Sequence, residues 1–352
     1  MSIRARIREL APYDFAPHAE GVKLDQNELP EDIPESLREE LVERVGSVAL
    51  NRYPDLTASE LRTRLAELHG WPVDGVIVTP GSNVLIQCLV IAAGIEQRVI
   101  VPSPSFGVYR LQARMLGAEL NEVPMSAGFG LPVRSMLREM ERGRGVVFIA
   151  NPAAPTGNLH PRSELEALIA AADDRWTIVI DEAYHQFAGS DFLELAQNPS
   201  VVSLRTLSKA FGLAGARVGY ALTSPELAEE LRKTVNPFAV SVLQQAAALT
   251  MLDHQDLVLA RAREVAVERD WLFDRLLELP DVSPFPSVAN FILLRLTDGP
   301  RAHRELLRRG VIVRRQDGGM LTNCLRVSVG TRAENRRFLD ELRQVVAEVG
   351  NG

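Results

Sequence analysis

Residues 201–220 read VVSLRTLSKAFGLAGARVGY. Val201 to Leu204 is β-branched and apolar, the texture of a buried strand. Ser208 and Lys209 follow on a polar break, and Phe211 to Gly215 is a turn of small residues. Arg217 then leads into a second strand, Val218 to Leu222. Lys209 is one of three lysines, with Lys23 and Lys233, among 39 lysine and arginine residues. A chain that uses arginine wherever a positive charge suffices keeps a lysine where an amine is needed. Arginine neither deprotonates nor forms a Schiff base, and a desolvated lysine does both. Lys23 and Lys233 lie in charged surroundings and read as solvated.

Upstream of this stretch, strands alternate with helices. Val76 to Thr79 is a short strand, and Pro80-Gly81-Ser82-Asn83 turns it into a helix ending near Ala93. A glycine turn at a helix N-terminus collects free N–H groups and the positive end of the helix dipole, which makes an anion site. It lacks both Gly-Lys-Ser/Thr and GxGxxG, so it is neither a Walker loop nor a dinucleotide fingerprint. A strand at Arg98 to Val101 leads to a loop and helix over 103–116, with Phe106 near the helix start. Gly145 to Ala150 is continuously apolar, as a parallel strand covered on both faces should be. It runs into Asn151-Pro152-Ala153-Ala154-Pro155-Thr156-Gly157. A helix over 161–172 follows, then a strand at Trp176 to Ile180 that ends in Asp181-Glu182-Ala183-Tyr184. This alternation predicts an α/β fold with a mainly parallel sheet flanked by helices. Ligands of such sheets sit at the carboxyl ends of the strands. Asn83, Asn151, Asp181, Tyr184 and Lys209 all follow strand ends, so one edge collects an anion site, an amide, a carboxylate, a phenol and an amine.

The flanks differ. Residues 1–33 form a proline-rich arm containing the loop QNELP at 26–30. Helical periodicity covers 34–45 and 57–69, the second with a Thr57/Glu60 capping box. Between them the turn Asn51 to Asp55 displays Tyr53. Beyond Ser224 the texture becomes α+β, with a long helix over 256–279 and strands at Asn290 to Leu296, Val311 to Arg314 and Cys324 to Val329. The expected organisation is an arm (1–33), a large domain (34–255) and a small α+β domain (256–352). A net charge of −7 gives no electrostatic case for nucleic acid. No apolar run approaches a membrane span. Two distant cysteines, Cys88 and Cys324, imply no disulfide framework and suit a reducing, cytoplasmic compartment. The six histidines show no ligand spacing, so no metal is expected.

The ordered set Asn-Pro-x-x-Pro-Thr-Gly, Asp-Glu-Ala-Tyr and Ser-Lys-x-x-small-x-x-Gly-x-Arg-x-Gly resembles the fold-type I, pyridoxal-phosphate (PLP)-dependent aminotransferases of classes I and II. The resemblance spans essentially the whole chain. Within that family QNELP, RYPD, TLSKAFGLAGARVGY and CLRVSVGT look most like the histidinol-phosphate aminotransferases. It implies that Lys209 is the Schiff-base lysine and proton carrier, and that Asp181 pairs with the pyridine N–H. Tyr184 and Asn151 would contact the ring hydroxyl, and Phe106 would stack on the ring. Ser82, Asn83, Thr206, Ser208 and Arg217 would surround the phosphate, which Tyr53 would reach from a neighbouring subunit, making a homodimer. Arg326 would bind the substrate's anionic group, assisted by Arg314 and Tyr13. It remains open at this point whether Arg314 or Arg315 faces the site. An aromatic amino acid aminotransferase or a threonine-phosphate decarboxylase also remains open, since both need an anion-binding arginine. This sequence departs from the usual pattern at Ala153 and Ala154, where asparagines are common, at Phe106 for tyrosine, and at Asn83 for an acidic residue.

Overall fold

The computed structural model describes residues 2–11 and 20–350. Its strands, in chain order, are β1 (Val22–Leu24), β2 (Val76–Thr79), β3 (Arg98–Ser103), β4 (Glu119–Pro124), β5 (Gly145–Ala150) and β6 (Trp176–Asp181). They continue with β7 (Val201–Thr206), β8 (Gly219–Leu222), β9 (Val282–Pro284), β10 (Phe291–Leu296), β11 (Val311–Gln316) and β12 (Cys324–Ser328). Seven of them form one sheet in the order β2-β8-β7-β6-β5-β3-β4. β8 runs against both its neighbours, and the other pairs in this sheet are parallel. This is the mixed, mainly parallel α/β sheet expected from the alternation, with β2 to β7 all ending at one edge.

Period-two side-chain alternation divides the core between the two faces of this sheet. Val146 and Phe148 of β5 pack with Leu85, Leu89 and Tyr109 from helices Ser82–Ala93 and Gly107–Leu116. Val147 and Ile149 pack on the other face with Leu165 and Leu168 of helix Arg162–Ala170. Every residue of β5 is buried. Each large apolar side chain so covered contributes roughly 2–3 kcal/mol, which is why this strand is legible as a continuous apolar run. β4 is not legible that way: in ELNEVP only Val123 is fully buried, as befits an edge strand.

The second sheet has the order β1-β11-β12-β10-β9. Its first strand comes from the arm, where Val22–Leu24 pairs in parallel with Val311 to Val313. Gly21 makes this entry possible: its φ is 121°, and a Cβ there would lie 2.5 Å from the Gly310 carbonyl oxygen. Helix Gln255–Leu277 spans both cores, with Val258, Ala262 and Val265 in one and Leu272 and Leu276 in the other. The expected large–small boundary at 255/256 falls where this helix begins. One local expectation fails. Helix Ser59–His69 has no Thr57/Glu60 box, because Asp55 takes the capping role. Its Oδ1 accepts from the Thr57 and Ser59 amides at 3.0 and 2.8 Å. A carboxylate is the stronger acceptor at the positive end of a helix. No helix of the described residues is long and apolar enough to cross a membrane.

Candidate active site

The edge where β2 to β7 end carries the predicted groups. Lys209 follows β7 in a turn closed by the Gly212 N–H on the Lys209 carbonyl. Its Nζ donates to the Gln26 carbonyl at 2.8 Å and lies 5.9 Å from the centre of the Tyr184 ring. Burial, and then the nearby Arg326 guanidinium, push this amine down from 10.5 to about 7, with Glu28 opposing. The free base is therefore far more accessible near neutral pH than it is for a solvated lysine. Lys23 is instead paired with Asp25 and Glu28, and exposed Lys233 with Glu230.

Asp181 ends β6 and turns toward helix Gly107–Leu116. Its Oδ2 accepts from Tyr109 Oη at 2.6 Å and its Oδ1 from the Ala183 N–H at 3.1 Å. Burial pushes this carboxyl up to about 6, and outweighs the two hydrogen bonds that favour the anion. A buried carboxylate so raised is short of a cation. The next residue, Glu182, points to the opposite face. It receives Arg205 Nη2 at 2.8 Å, Ser203 Oγ at 2.5 Å and the Phe192 N–H at 2.6 Å. Arg205 and Glu182 are both wholly buried, so the pair anchors the ends of β6 and β7 from behind. Phe106 precedes helix Gly107–Leu116, its ring edge-on to Tyr109 at 5.5 Å. Asn151 follows β5, but its amide is held by His160: Oδ1 accepts from the His160 N–H at 2.7 Å and Nδ2 donates to the His160 carbonyl at 3.3 Å.

A glycine-lined cradle lies where β2, β8 and β7 meet. Gly219 pairs with Thr79 on one side and Thr206 on the other. A Cβ on Gly219 would lie 2.1 Å from the Ser82 backbone nitrogen, and one on Gly81 2.6 Å from the Arg217 guanidinium. Helix Ser82–Ala93 begins here, and its first N–H groups have no intrahelical acceptor. Arg217, at φ 57°, donates to Ser208 Oγ at 3.1 Å, and the Ser208 N–H donates to Thr206 Oγ1 at 3.1 Å. Asn83 is exposed at the same helix end.

Arg326 of β12 donates to the Asp25 carbonyl at 2.7 Å and lies over the Phe291 ring at 5.4 Å. Tyr184 packs edge-on against the same ring at 5.1 Å, which brings this arginine beside the phenol and the amine. Arg314 is directly cross-strand from Arg326, so both lie on one face of the small sheet. Arg315 is on the other face, exposed and bound to Asp317 at 2.7 Å. Tyr53 is 83% exposed and stacks on Phe238 at 4.9 Å. Tyr13 lies outside the described residues.

The donor set fits the group implied by the sequence: a glycine-lined anion cradle, a buried carboxylate with no cation paired to it among the described residues, a nearby aromatic side chain, and an amine whose charge burial disfavours. Against known proteins, the family model for class I and II aminotransferases matches residues 19–342. The chain belongs to that family. This aminotransferase is 44% identical to a histidinol-phosphate aminotransferase of Deinococcus radiodurans, over 95% of this chain and 93% of the relative. It is 39% identical to one from Thermococcus kodakarensis, over 97% and 98%. A crystal structure of a histidinol-phosphate aminotransferase from Sinorhizobium meliloti in complex with pyridoxal-5′-phosphate superposes with a TM-score of 0.90. That overlay covers 99% of this chain and 98% of the other at 24% identity, and so shows the shared fold.

Two residues of this aminotransferase's cluster escaped sequence reasoning. Tyr109, the partner of Asp181, is fully buried and stacks on Phe148 at 4.8 Å. A tyrosine on an apolar face, one turn beyond Phe106, was the available signal. Asn27, whose Nδ2 donates to Tyr184 Oη at 2.9 Å, sat in QNELP and read only as loop.

Proposed function

We propose that this aminotransferase exchanges an amino group between histidinol phosphate and 2-oxoglutarate with PLP as cofactor. The observation that carries the reading is the 44% identity, over 95% of the chain, to a histidinol-phosphate aminotransferase. Bound PLP supplies an aldehyde that exchanges amines and a ring that takes up the electron pair of a broken C–H bond. Lys209 is the amine that holds it and, as a free base, carries the proton between carbon atoms. Asp181, aimed by Tyr109 and Ala183, keeps the pyridine nitrogen protonated. Tyr184 serves the ring hydroxyl, with Asn151 adding the Nδ2 proton that it does not give to His160, and Phe106 covers the ring face. Ser82, Asn83, Thr206, Ser208 and Arg217 hold the phosphate ester. Arg326 and Arg314, side by side, suit an enzyme that takes a carboxylate and a phosphate in turn, because the guanidinium fork matches both. One site serving two substrates gives ping-pong kinetics.

The test is an absorption spectrum of the PLP-loaded protein. Histidinol phosphate should bleach the visible band, and 2-oxoglutarate should restore it. A band that ignores histidinol phosphate and responds to phenylalanine or phosphothreonine overturns the substrate; no band at all overturns the cofactor. The amine itself makes a second prediction. Capture of PLP by the cofactor-free protein should rise with pH through a midpoint near 7, where the Lys209 amine loses its proton. A midpoint near the solvated value of 10.5 would contradict the site.

The same reading includes a cytoplasmic homodimer. Tyr53 would then serve the partner's phosphate, and the exposed Leu50, Leu56 and Phe238 around it would be covered. Sedimentation of a monomer at working concentration would contradict this.

A further inference from the structure

Loop residues 25–27 place three consecutive carbonyls on three donors from different parts of the chain. Asp25 O accepts from Arg326, Gln26 O from Lys209, and Asn27 O from Asn290 Nδ2 at 3.0 Å. The Asn27 side chain is buried and bonded at both ends. Ser328 Oγ accepts from the Asn27 backbone N–H at 2.8 Å, so its own proton is free for Asn27 Oδ1 at 3.2 Å. That leaves Nδ2 as the end facing Tyr184 Oη, at 2.9 Å. Asn27 adopts φ 54°, which asparagine tolerates better than most residues. Ser328 and Asn290 belong to the small-sheet unit and Tyr184 to the large-sheet unit, so this one amide bridges them.

A phenol has one proton and must choose a direction for it. Because Asn27 can only donate at this end, Tyr184 accepts from it and its own O–H points elsewhere. The groups around Tyr184 are Lys209, Asp181, Tyr109, Arg326 and the Phe291 ring. Burial raises the phenol above its ordinary value, and Arg326 and the Asn27 hydrogen bond oppose that rise. We infer that Asn27 is a positioning residue. It turns the Tyr184 proton toward the cofactor's ring hydroxyl, and through Ser328 it makes that orientation depend on the small domain. The inference rests on the proposed contact between Tyr184 and that hydroxyl.

Donation from Tyr184 favours the deprotonated ring oxygen, so losing it should raise the pH at which the visible band of the loaded protein changes. The experiment is a spectroscopic pH titration of four PLP-loaded proteins: parent, Asn27→Gly, Tyr184→Phe and the double variant. Glycine keeps the positive φ, adds no charge and removes the amide. Asn27→Gly should raise the midpoint by roughly one pH unit and lower kcat about tenfold, the worth of one hydrogen bond, with KM little changed. In the Tyr184→Phe background it should add nothing, because the two act through one proton. A shift of the same size in both backgrounds, or in neither, means Asn27 only holds the loop, and overturns the inference. If Tyr184→Phe itself leaves the midpoint unmoved, the ring contact is wrong and the inference falls with it. Should Asn27→Gly fail to fold, Ser328→Ala frees the amide instead. A smaller upward midpoint shift is then expected, and no shift is the contrary result.

Discussion

Lys209→Arg should abolish transamination, with turnover falling on the order of 10⁴-fold, while the protein still folds. Arginine keeps the charge and much of the reach, so the substitution isolates the one property it removes, a nitrogen that gives up its proton. At this position the amine titrates at about 7, whereas a guanidinium stays charged above pH 12 or so. No other amine stands in: Lys23 is ion-paired with two carboxylates and Lys233 is on the surface. Lys209→Ala provides the companion measurement, since small added amines should restore part of its proton-transfer rate. Activity of Lys209→Arg within tenfold of the parent would mean that Lys209 is not the reactive amine.

Asp181→Asn should cut turnover about a thousandfold, the scale of one lost electrostatic contact in a water-excluded site, and at the same time stabilise the cofactor-free protein. The sign follows from the direction of the shift. The Asp181 carboxyl is raised from 3.8 to about 6 on folding. Its contribution to stability is therefore fully present below the unfolded value and is lost as pH rises through the folded one. Above that window the parent carries a buried carboxylate without a cation, at a cost of about 3 kcal/mol. Asparagine carries no charge there and can satisfy both neighbours, its Oδ1 taking the Ala183 N–H and its Nδ2 donating to the Tyr109 hydroxyl, which can rotate to accept. Calorimetry of the cofactor-free proteins should show the variant melting several degrees higher near pH 8, the gap closing as pH falls toward about 4. A gap that is absent, or that does not change with pH, would contradict a raised Asp181 carboxyl. With PLP bound the order should reverse, since the protonated ring nitrogen supplies the missing cation.

The strands and turns behind these effects were readable because their signals are local. An apolar run such as Gly145–Ala150, a Gly81–Ser82 turn into a helix, and Asp181 directly after a strand each state their place in a few residues. Parallel packing then brought their ends to one edge without further information, and the lone polar-flanked lysine marked which edge mattered. The pairings across that edge were of another kind. Tyr109 meets Asp181 across 72 residues, and Asn27 meets Tyr184 across 157. Whether Arg314 or Arg315 shares a face with Arg326 depends on the β11–β12 register, since a slip of one residue exchanges them. Residues 22–24 look like part of an arm because their partner strand lies almost 300 residues on, at Val311 to Val313. Residue chemistry and short-range pattern thus named the fold class and singled out Lys209 and the polar groups at the strand ends, and the family resemblance supplied the roles proposed for them. The orientation of each companion, the choice between adjacent arginines and the bridging amide of Asn27 came only with long-range packing, which brings distant segments into register and gives each buried donor its acceptor.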